Sequence, residues 1–334
     1  MPSSLRAIPL TLLNALAKVF RRKKIGSRFP ILKKLFDAFE VRLFRLSWRE
    51  GNVVEVQGSK MFVDVSHPDP AMRRTFRDYA LNRIHEETTT ALFRKSVKKG
   101  DVVLDVGANI GYFTLLAASI VGKEGKVYAF EPEPRNFGYL SKNIALNRYG
   151  NVTVAQRAVS DKPGTIKLFM CPYDTGHHTI QQFGGIRSYN PELAGTREEF
   201  VEIQAVRLDD LFKDKLTPIN VIKLDVEGAE MLTLSGMENI IRANNDLVMF
   251  VEFFPLLIKE MGQSPEEFAG RLHEDFGFEM FIIGHDYSMS DKSVDKERLR
   301  ITSANQLMSV CQGRNDHLNL YLVKSTSKIP SYLN

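Results

Sequence analysis

The sequence predicts an α/β domain built on a mostly parallel sheet with helices on both faces. From Gly100 onward, short β-rich apolar runs alternate with segments of helical periodicity. A glycine turn follows the first of these runs, and acidic residues stand where several of the runs end.

The elements follow in order. Leu5, Ile8, Leu12, Leu16, Val19 and Phe20 recur at helical spacing, as do Ile31, Leu35, Phe39, Leu43 and Leu46, with Lys and Arg between them. Residues 1–50 thus read as a basic amphipathic helical arm, holding 12 Lys/Arg against 3 Asp/Glu. Such an arm can lie on an anionic membrane surface, meet nucleic acid, or pack on the rest of the chain. Residues 51–99 read as a hairpin and helix packing on the core: Val53–Val56, a turn at Gly58-Ser59, then Met61–Val63.

Residues 100–334 form the main domain, in which Val102–Val106 leads to a helix over Tyr112–Val121 and Lys126–Phe130 to one over Pro134–Asn147. Val152–Gln156 is a strand, Val221–Leu224 precedes a helix over Ala229–Arg242, and Leu247–Val251 is the fifth strand. Phe278–Ile283 and Leu318–Val323 suit a terminal antiparallel pair, with no helical pattern of comparable strength between them. The stretch before Val221 is too long for a βα loop and contains strand-like Thr165–Phe169 and Val201–Val206. It reads as a β-hairpin inserted at about 163–207, whose tip, residues 171–199, overhangs the site.

Composition limits the function classes. With 43% apolar and 25% charged residues the chain is an ordinary folded enzyme in make-up, and disorder is not the default. The net charge of +5 belongs to the arm, because the remaining 284 residues carry 33 Lys/Arg against 37 Asp/Glu. That balance argues against a basic nucleic-acid groove. Cys171 and Cys311 are the only cysteines, which excludes a disulfide framework and favours a reducing compartment. No Cys/His spacing suggests zinc, and no run reaches the roughly 18 apolar residues of a membrane span. Ala15-Leu16-Ala17 fits a cleavage site, but Pro9 and Thr11 interrupt the apolar stretch and Arg21-Arg22-Lys23-Lys24 follows. The start therefore reads as retained, and the location as cytoplasmic with peripheral membrane contact through the arm.

The strongest local signal is Val103-Leu104-Asp105-Val106-Gly107-Ala108-Asn109-Ile110-Gly111-Tyr112-Phe113, a strand running through a glycine turn into a helix. Gly107 lets the backbone bend toward a ligand and Gly111 allows close helix packing. A dinucleotide fingerprint would have glycine where Asn109 stands, so a pyrophosphate at the helix start is disfavoured. The carboxylate of Asp105 better suits the ammonium of S-adenosylmethionine (SAM). Twenty residues past Gly111, Glu131 ends the second strand, where an acidic side chain accepts both hydroxyls of a ribose. Either acid alone could cap a helix; at the tips of adjacent strands they point together to a nucleoside.

The third segment, Lys223-Leu224-Asp225-Val226-Glu227-Gly228-Ala229-Glu230, delivers three carboxylates around a glycine at the sheet's carboxyl edge. Methyl transfer to a hydroxyl is an in-line displacement helped by a base or metal near the acceptor. Asp225, Glu227 and Glu252 are the candidates, Glu252 following the fifth strand. His177 and His178, in the insertion, are further candidate bases, though adjacent loop histidines are often merely exposed. No metal ligand set is assigned, and a divalent metal has no sequence support of its own.

On the block from Gly100 to Gly111 and the later Lys223–Glu230 block, the chain resembles the FkbM-type methyltransferase family over roughly residues 84–256. The resemblance implies a Rossmann-like class I methyltransferase fold, with a seven-stranded mostly parallel sheet and a reversed C-terminal strand. It implies that Asp105, Gly107, Ala108, Asn109 and Gly111 hold the methionine end of SAM, Glu131 the ribose, the Arg157–Asp161 segment with Ala158 the adenine, and that Asp225 lies beside the cofactor. It also implies O-methylation of a sugar, glycolipid or related small molecule. Phe254 stands where the family often has a polar residue, which suggests a more apolar acceptor pocket, and the basic arm lies outside the family pattern. A nicotinamide-dependent oxidoreductase and a nucleic-acid methyltransferase are the rival readings.

Overall fold

The computed structural model describes residues 52–324 except 66, 68–69, 82, 172–176, 181, 183–198, 215–217, 285, 287–298 and 314–315, together with Phe39, Arg42 and Ile329. The basic arm therefore lies outside the described residues but for Phe39 and Arg42, both helical and exposed. Most of the insertion's tip lies outside them too.

The chain divides into two compact units, the first ending at Ile84 and the second beginning at His85. In the first, β1 (Asn52–Val56) and β2 (Ser59–Val63) pair antiparallel. Gln57 and Gly58, at φ 53° and 85°, supply the two positive-φ positions of a tight hairpin turn. A helix over Pro70–Ala80 buries Met72 and Phe76, whose ring meets Phe62 edge-on at 6.3 Å.

The second unit opens with a helix over Glu87–Ser96, whose first free N–H groups are capped from far away: the Asp286 carboxylate accepts from Thr88 N and Thr89 N, each at 2.9 Å. Then come β3 (Val102–Val106), β4 (Lys126–Phe130) and β5 (Val152–Ala155), separated by helices over Tyr112–Val121 and Pro134–Asn147. β6 (Ala158–Val159), β7 (Gly164–Phe169) and β8 (Phe200–Val206) form a separate three-stranded sheet in the order β6-β8-β7. The inserted hairpin is β7 with β8, and β6 adds a parallel neighbour to it.

The chain returns through β9 (Val221–Leu224) and β10 (Val248–Phe253), then β11 (Glu279–Ile283), β12 (Arg300–Ile301) and β13 (Leu318–Val323). The main sheet has the order β12-β11-β13-β10-β9-β3-β4-β5. β5, β4, β3, β9 and β10 run parallel, and β13 runs against both β10 and β11. The seven expected strands and the reversed C-terminal strand are present, and the two-residue β12 adds an eighth at the edge.

Two expectations are corrected. The single helix expected over Ala229–Arg242 is two, Glu230–Ser235 and Glu238–Ala243. They break at Gly236, whose backbone lies so close to the Ser160 carbonyl that an added Cβ would sit 2.1 Å from its oxygen. A seven-residue helix, Ala304–Val310, stands between β11 and β13, where no strong helical pattern was read; Ser303 caps it by accepting from Gln306 N.

The sheet's two faces differ. One buries Leu104, Ile222, Leu224, Met249, Val251, Met280 and Leu320 in the main apolar core. On the other, Ala129, Asp105, Lys223, Phe250, Tyr321 and Phe281 line up in one row across six strands. The helix over Tyr112–Val121 borders this face, with Phe113 against Phe93 and Phe93 against Phe250. Cys171 and Cys311 are both buried and free.

Candidate active site

Strand register builds the site. Phe130, Val106, Leu224 and Val251 are aligned across β4, β3, β9 and β10. The next residues, Glu131, Gly107, Asp225 and Glu252, therefore fall on one line along the carboxyl edge, where ligands of open α/β sheets bind. Asn319 of β13 extends the line as the cross-strand partner of Glu252. Glu252 lies inside its strand, which continues to Phe253.

The glycine turn is fixed from both sides. Gly107 N and Ala108 N both donate to Phe130 O at 3.0 Å. Gly107 sits at φ 87°, and a Cβ built on it would lie 1.8 Å from Asp225 O, so the β3 and β9 tips meet backbone to backbone. Asn109, at φ 50°, donates its N–H to Glu131 Oε2 at 2.7 Å, and Glu133 N donates to Oε1 at 2.9 Å. Burial pushes Glu131 up to about 8 against the pull of these two donors. Ala108 is buried, and Gly111, at φ 101°, opens the helix that follows.

Asp105 stands two residues short of the edge line, 2% exposed, and accepts from the Thr114 hydroxyl. Burial raises it to about 6, although Thr114 and Lys223 both pull it down. Ala158 is buried in β6, beyond Arg157, whose N–H donates to Ala155 O at 2.9 Å.

Asp225, Glu227 and Glu252 converge, each offering an oxygen within 4.8 Å of the others. Glu227 is one of few non-glycine residues at positive φ, 53°, and Gly228 follows at 97°; this strained turn costs about 1–3 kcal/mol. His177 Nδ1 lies 3.1 Å from both Glu227 carboxylate oxygens, and the Thr179 hydroxyl donates to Glu227 O at 3.4 Å. The described part of the insertion thus reaches Glu227 twice, at the carboxylate through His177 and at the backbone through Thr179. His178 does other work: its Nδ1 accepts from Cys171 N at 2.9 Å within the insertion.

Lys223, 1% exposed, donates to Asp225 Oδ2 at 2.8 Å and lies 5.1 Å from the Phe113 ring centre. Burial alone would lower its pKa, but Asp225, Glu86 and Glu252 raise it and keep the ammonium charged. Glu252 is displaced well above the usual carboxylate range, by burial first and then by Asp225 and Glu227. Glu230, buried at the start of its helix, accepts from Gly228 N at 3.2 Å and is raised to about 7 by burial. Phe254 is buried and stacks on His317 with ring centres 4.7 Å apart.

Sequence reasoning offers Lys223 only as a pairing partner for Glu252, and it misses Glu86, His85 and Asn319. Glu86 Oε2 accepts from Asn319 Nδ2 at 2.9 Å, and His85 Nε2 lies 3.3 Å from Glu86 Oε1. Lysine in the middle of an apolar run was the available signal, because a buried ammonium demands carboxylates around it.

The five parallel strands, the glycine turn after β3 and the reversed β13 define a Rossmann-like class I methyltransferase fold. Residues 105–280 match the methyltransferase FkbM domain. Over 163 residues the chain is 34% identical to the 31-O-demethyl-FK506 methyltransferase FkbM of Streptomyces tacrolimicus, covering 43% of this chain and 62% of that protein. Over 166 residues it is 28% identical to the hexuronic acid methyltransferase AglP of Haloferax volcanii, covering 49% and 61%. Among solved structures it is similar to Aeropyrum pernix fibrillarin with natively bound S-adenosyl-L-methionine, at TM-score 0.36 and 14% identity over 71% of this chain and 74% of that one. The chain spans about three fifths of the length of these curated relatives. With the matched segment covering just over half of it, the chain belongs to the FkbM methyltransferase family.

Proposed function

We propose that the protein uses SAM to methylate a hydroxyl of a sugar, glycolipid or related small molecule. One observation carries this reading: Glu131, Gly107, Asp225 and Glu252 share the sheet's carboxyl edge, and the Glu131 carboxylate is tied to the glycine turn through Asn109 N. The donor set fits the nucleoside. Glu131 keeps lone pairs for a ribose diol, and Asn109 Oδ1 is buried with no hydrogen-bond partner among the described residues. Asp105, Gly107, Ala108, Asn109 and Gly111 would hold the methionine end, and Ala158 would border the adenine.

Bound SAM supplies an electrophilic methyl group on a sulfonium. The chain's part is to orient the acceptor and take its proton as oxygen attacks. Asp225, Glu227 and Glu252, which converge at the sheet's carboxyl edge, are the candidate bases, held in one cluster. Lys223, held charged, is a fixed positive group beside it and not a base. His177 would set the orientation of Glu227 over the acceptor.

An oxygen-rich acceptor is supported by the names of the two relatives, one for a hexuronic acid and one for the 31-O position of FK506. The excess of acidic over basic side chains beyond residue 50 disfavours nucleic acid. Among the described residues no helix is long and apolar enough to cross a membrane. The basic residues of segment 1–50 support contact with an anionic membrane, and deleting them should abolish liposome binding.

The test is methyl transfer from labelled SAM to extracted lipids, glycans and small metabolites, paired with calorimetry. Label in a glycan or lipid hydroxyl and tight S-adenosylhomocysteine (SAH) binding are expected. A heat of binding with NAD but none with SAH would overturn the reading in favour of an oxidoreductase.

A further inference from the structure

We infer that Asp225, Glu227 and Glu252 form a binding site for a hard divalent cation, next to the nucleoside crevice. Three carboxylates from two neighbouring strand ends bring one oxygen each within 4.8 Å of the others. An ion about 2.0–2.6 Å from each oxygen can hold ligands up to roughly 4–5 Å apart on its opposite sides, so the cluster has the span of one coordination sphere. All three donors are carboxylate oxygens, the chemistry preferred by magnesium, manganese and calcium.

Glu252 supplies the second observation. It is 5% exposed, and its Oε2 takes no hydrogen bond among the described residues while the group lies within the cluster. A buried carboxylate oxygen with nothing to accept from is expensive. Lys223 reaches Asp225, and a divalent ion would supply the positive charge that lets Glu227 and Glu252 be ionised side by side. The cluster is also reachable, since the Asp225 side chain is 24% exposed. His177, at 3.1 Å from both Glu227 oxygens, is placed to steer that ligand. The ion's open positions would take adjacent oxygens of the acceptor. That role rests on the methyl-transfer reading, whereas the binding itself does not.

The test is titration of the full-length chain with Mn2+, following loss of the free-ion signal by electron paramagnetic resonance, with SAH affinity measured in parallel by calorimetry. One Mn2+ per chain is expected, displaced by Mg2+ or Ca2+, and weakened at least tenfold in E252Q and in E227Q. E227Q alters a side chain on a loop, so it serves if E252Q fails to fold. Absence of Mn2+ binding to the wild type, or unchanged binding in a folded variant, overturns the site. Intact Mn2+ binding with no SAH binding would instead overturn the methyl-transfer reading and leave the site standing.

Discussion

The backbone N–H of Asn109 donates to the Glu131 carboxylate at 2.7 Å, which makes the glycine turn after β3 and the acid at the tip of β4 one unit. Replacing Glu131 therefore disturbs more than the proposed ribose contact. In E131Q the new amide must point its NH2 at Asn109 N or Glu133 N, donor against donor. SAH affinity should fall at least tenfold by calorimetry, with about 1–3 kcal/mol of stability lost. Affinity equal to wild type would remove Glu131 from the cofactor site.

Gly107 and Gly111 both have positive φ, yet their replacements should differ. A Cβ at Gly107 meets the fixed Asp225 carbonyl, whereas at Gly111 the nearest atom, 2.8 Å away, is the flexible end of Leu140. G107A should lower the melting temperature more than G111A, which should lose mainly the left-handed backbone penalty of about 1 kcal/mol. Equal losses would mean that the two strand tips do not meet as described.

Lys223 balances the acids around it. Lys223→Met should cost about 3–5 kcal/mol, because it leaves buried carboxylates without a counter-charge. Adding E252Q should recover part of that loss in chemical denaturation, since one offending charge is gone. No recovery would show that the lysine acts by packing alone.

The ligand-free protein should lose stability as pH rises. Burial raises Asp105, Glu230 and Glu131 to about 6, 7 and 8, all above the ordinary carboxylate value of the unfolded chain. Between roughly pH 5 and 8 the folded state thus binds more protons than the unfolded one, and the stability change has a negative slope. Each group contributes at most about 1.4 kcal/mol per pH unit. The melting temperature should peak near pH 5 and fall toward 8.5, less steeply in E131Q. A flat profile in the wild type would contradict the burial of these groups.

His177 reaches the acid cluster from the insertion, so His177→Ala should separate chemistry from cofactor binding. A loss of about 10–100-fold in kcat with SAH affinity unchanged is expected. Equal losses in both would place the histidine's effect on the crevice as a whole.

Much of this was legible in the chain. Apolar runs ending in Asp or Glu gave the strands that present Glu131, Asp225 and Glu252, because parallel strands are buried on both faces and polarity marks their tips. Asp105 was read as a strand end, and only the register shows it one residue inside, facing Thr114. Lys223 is legible as a partner for Glu252 across the strands, but its hydrogen bond goes to Asp225, two residues on, and Glu86 adds to its surroundings from a distant turn. The Glu86–Asn319 bond joins residues 233 apart in sequence, a separation that local periodicity cannot encode. The split at Gly236 was likewise invisible, because it depends on where Ser160 falls.

The reversed β13 lies between β10 and β11, not at the margin of the sheet. The last described strand is thus a keystone between two strands that precede it in the chain. A chain still short of residue 318 would present the long apolar edge of β10 bare, with Glu252 lacking the neighbour that faces it. During synthesis β3, β4, β5 and β9 would already be made while the edge of β10 stood open to unwanted pairing. A chaperone's protection would matter most in that interval, just before the final strand slots home.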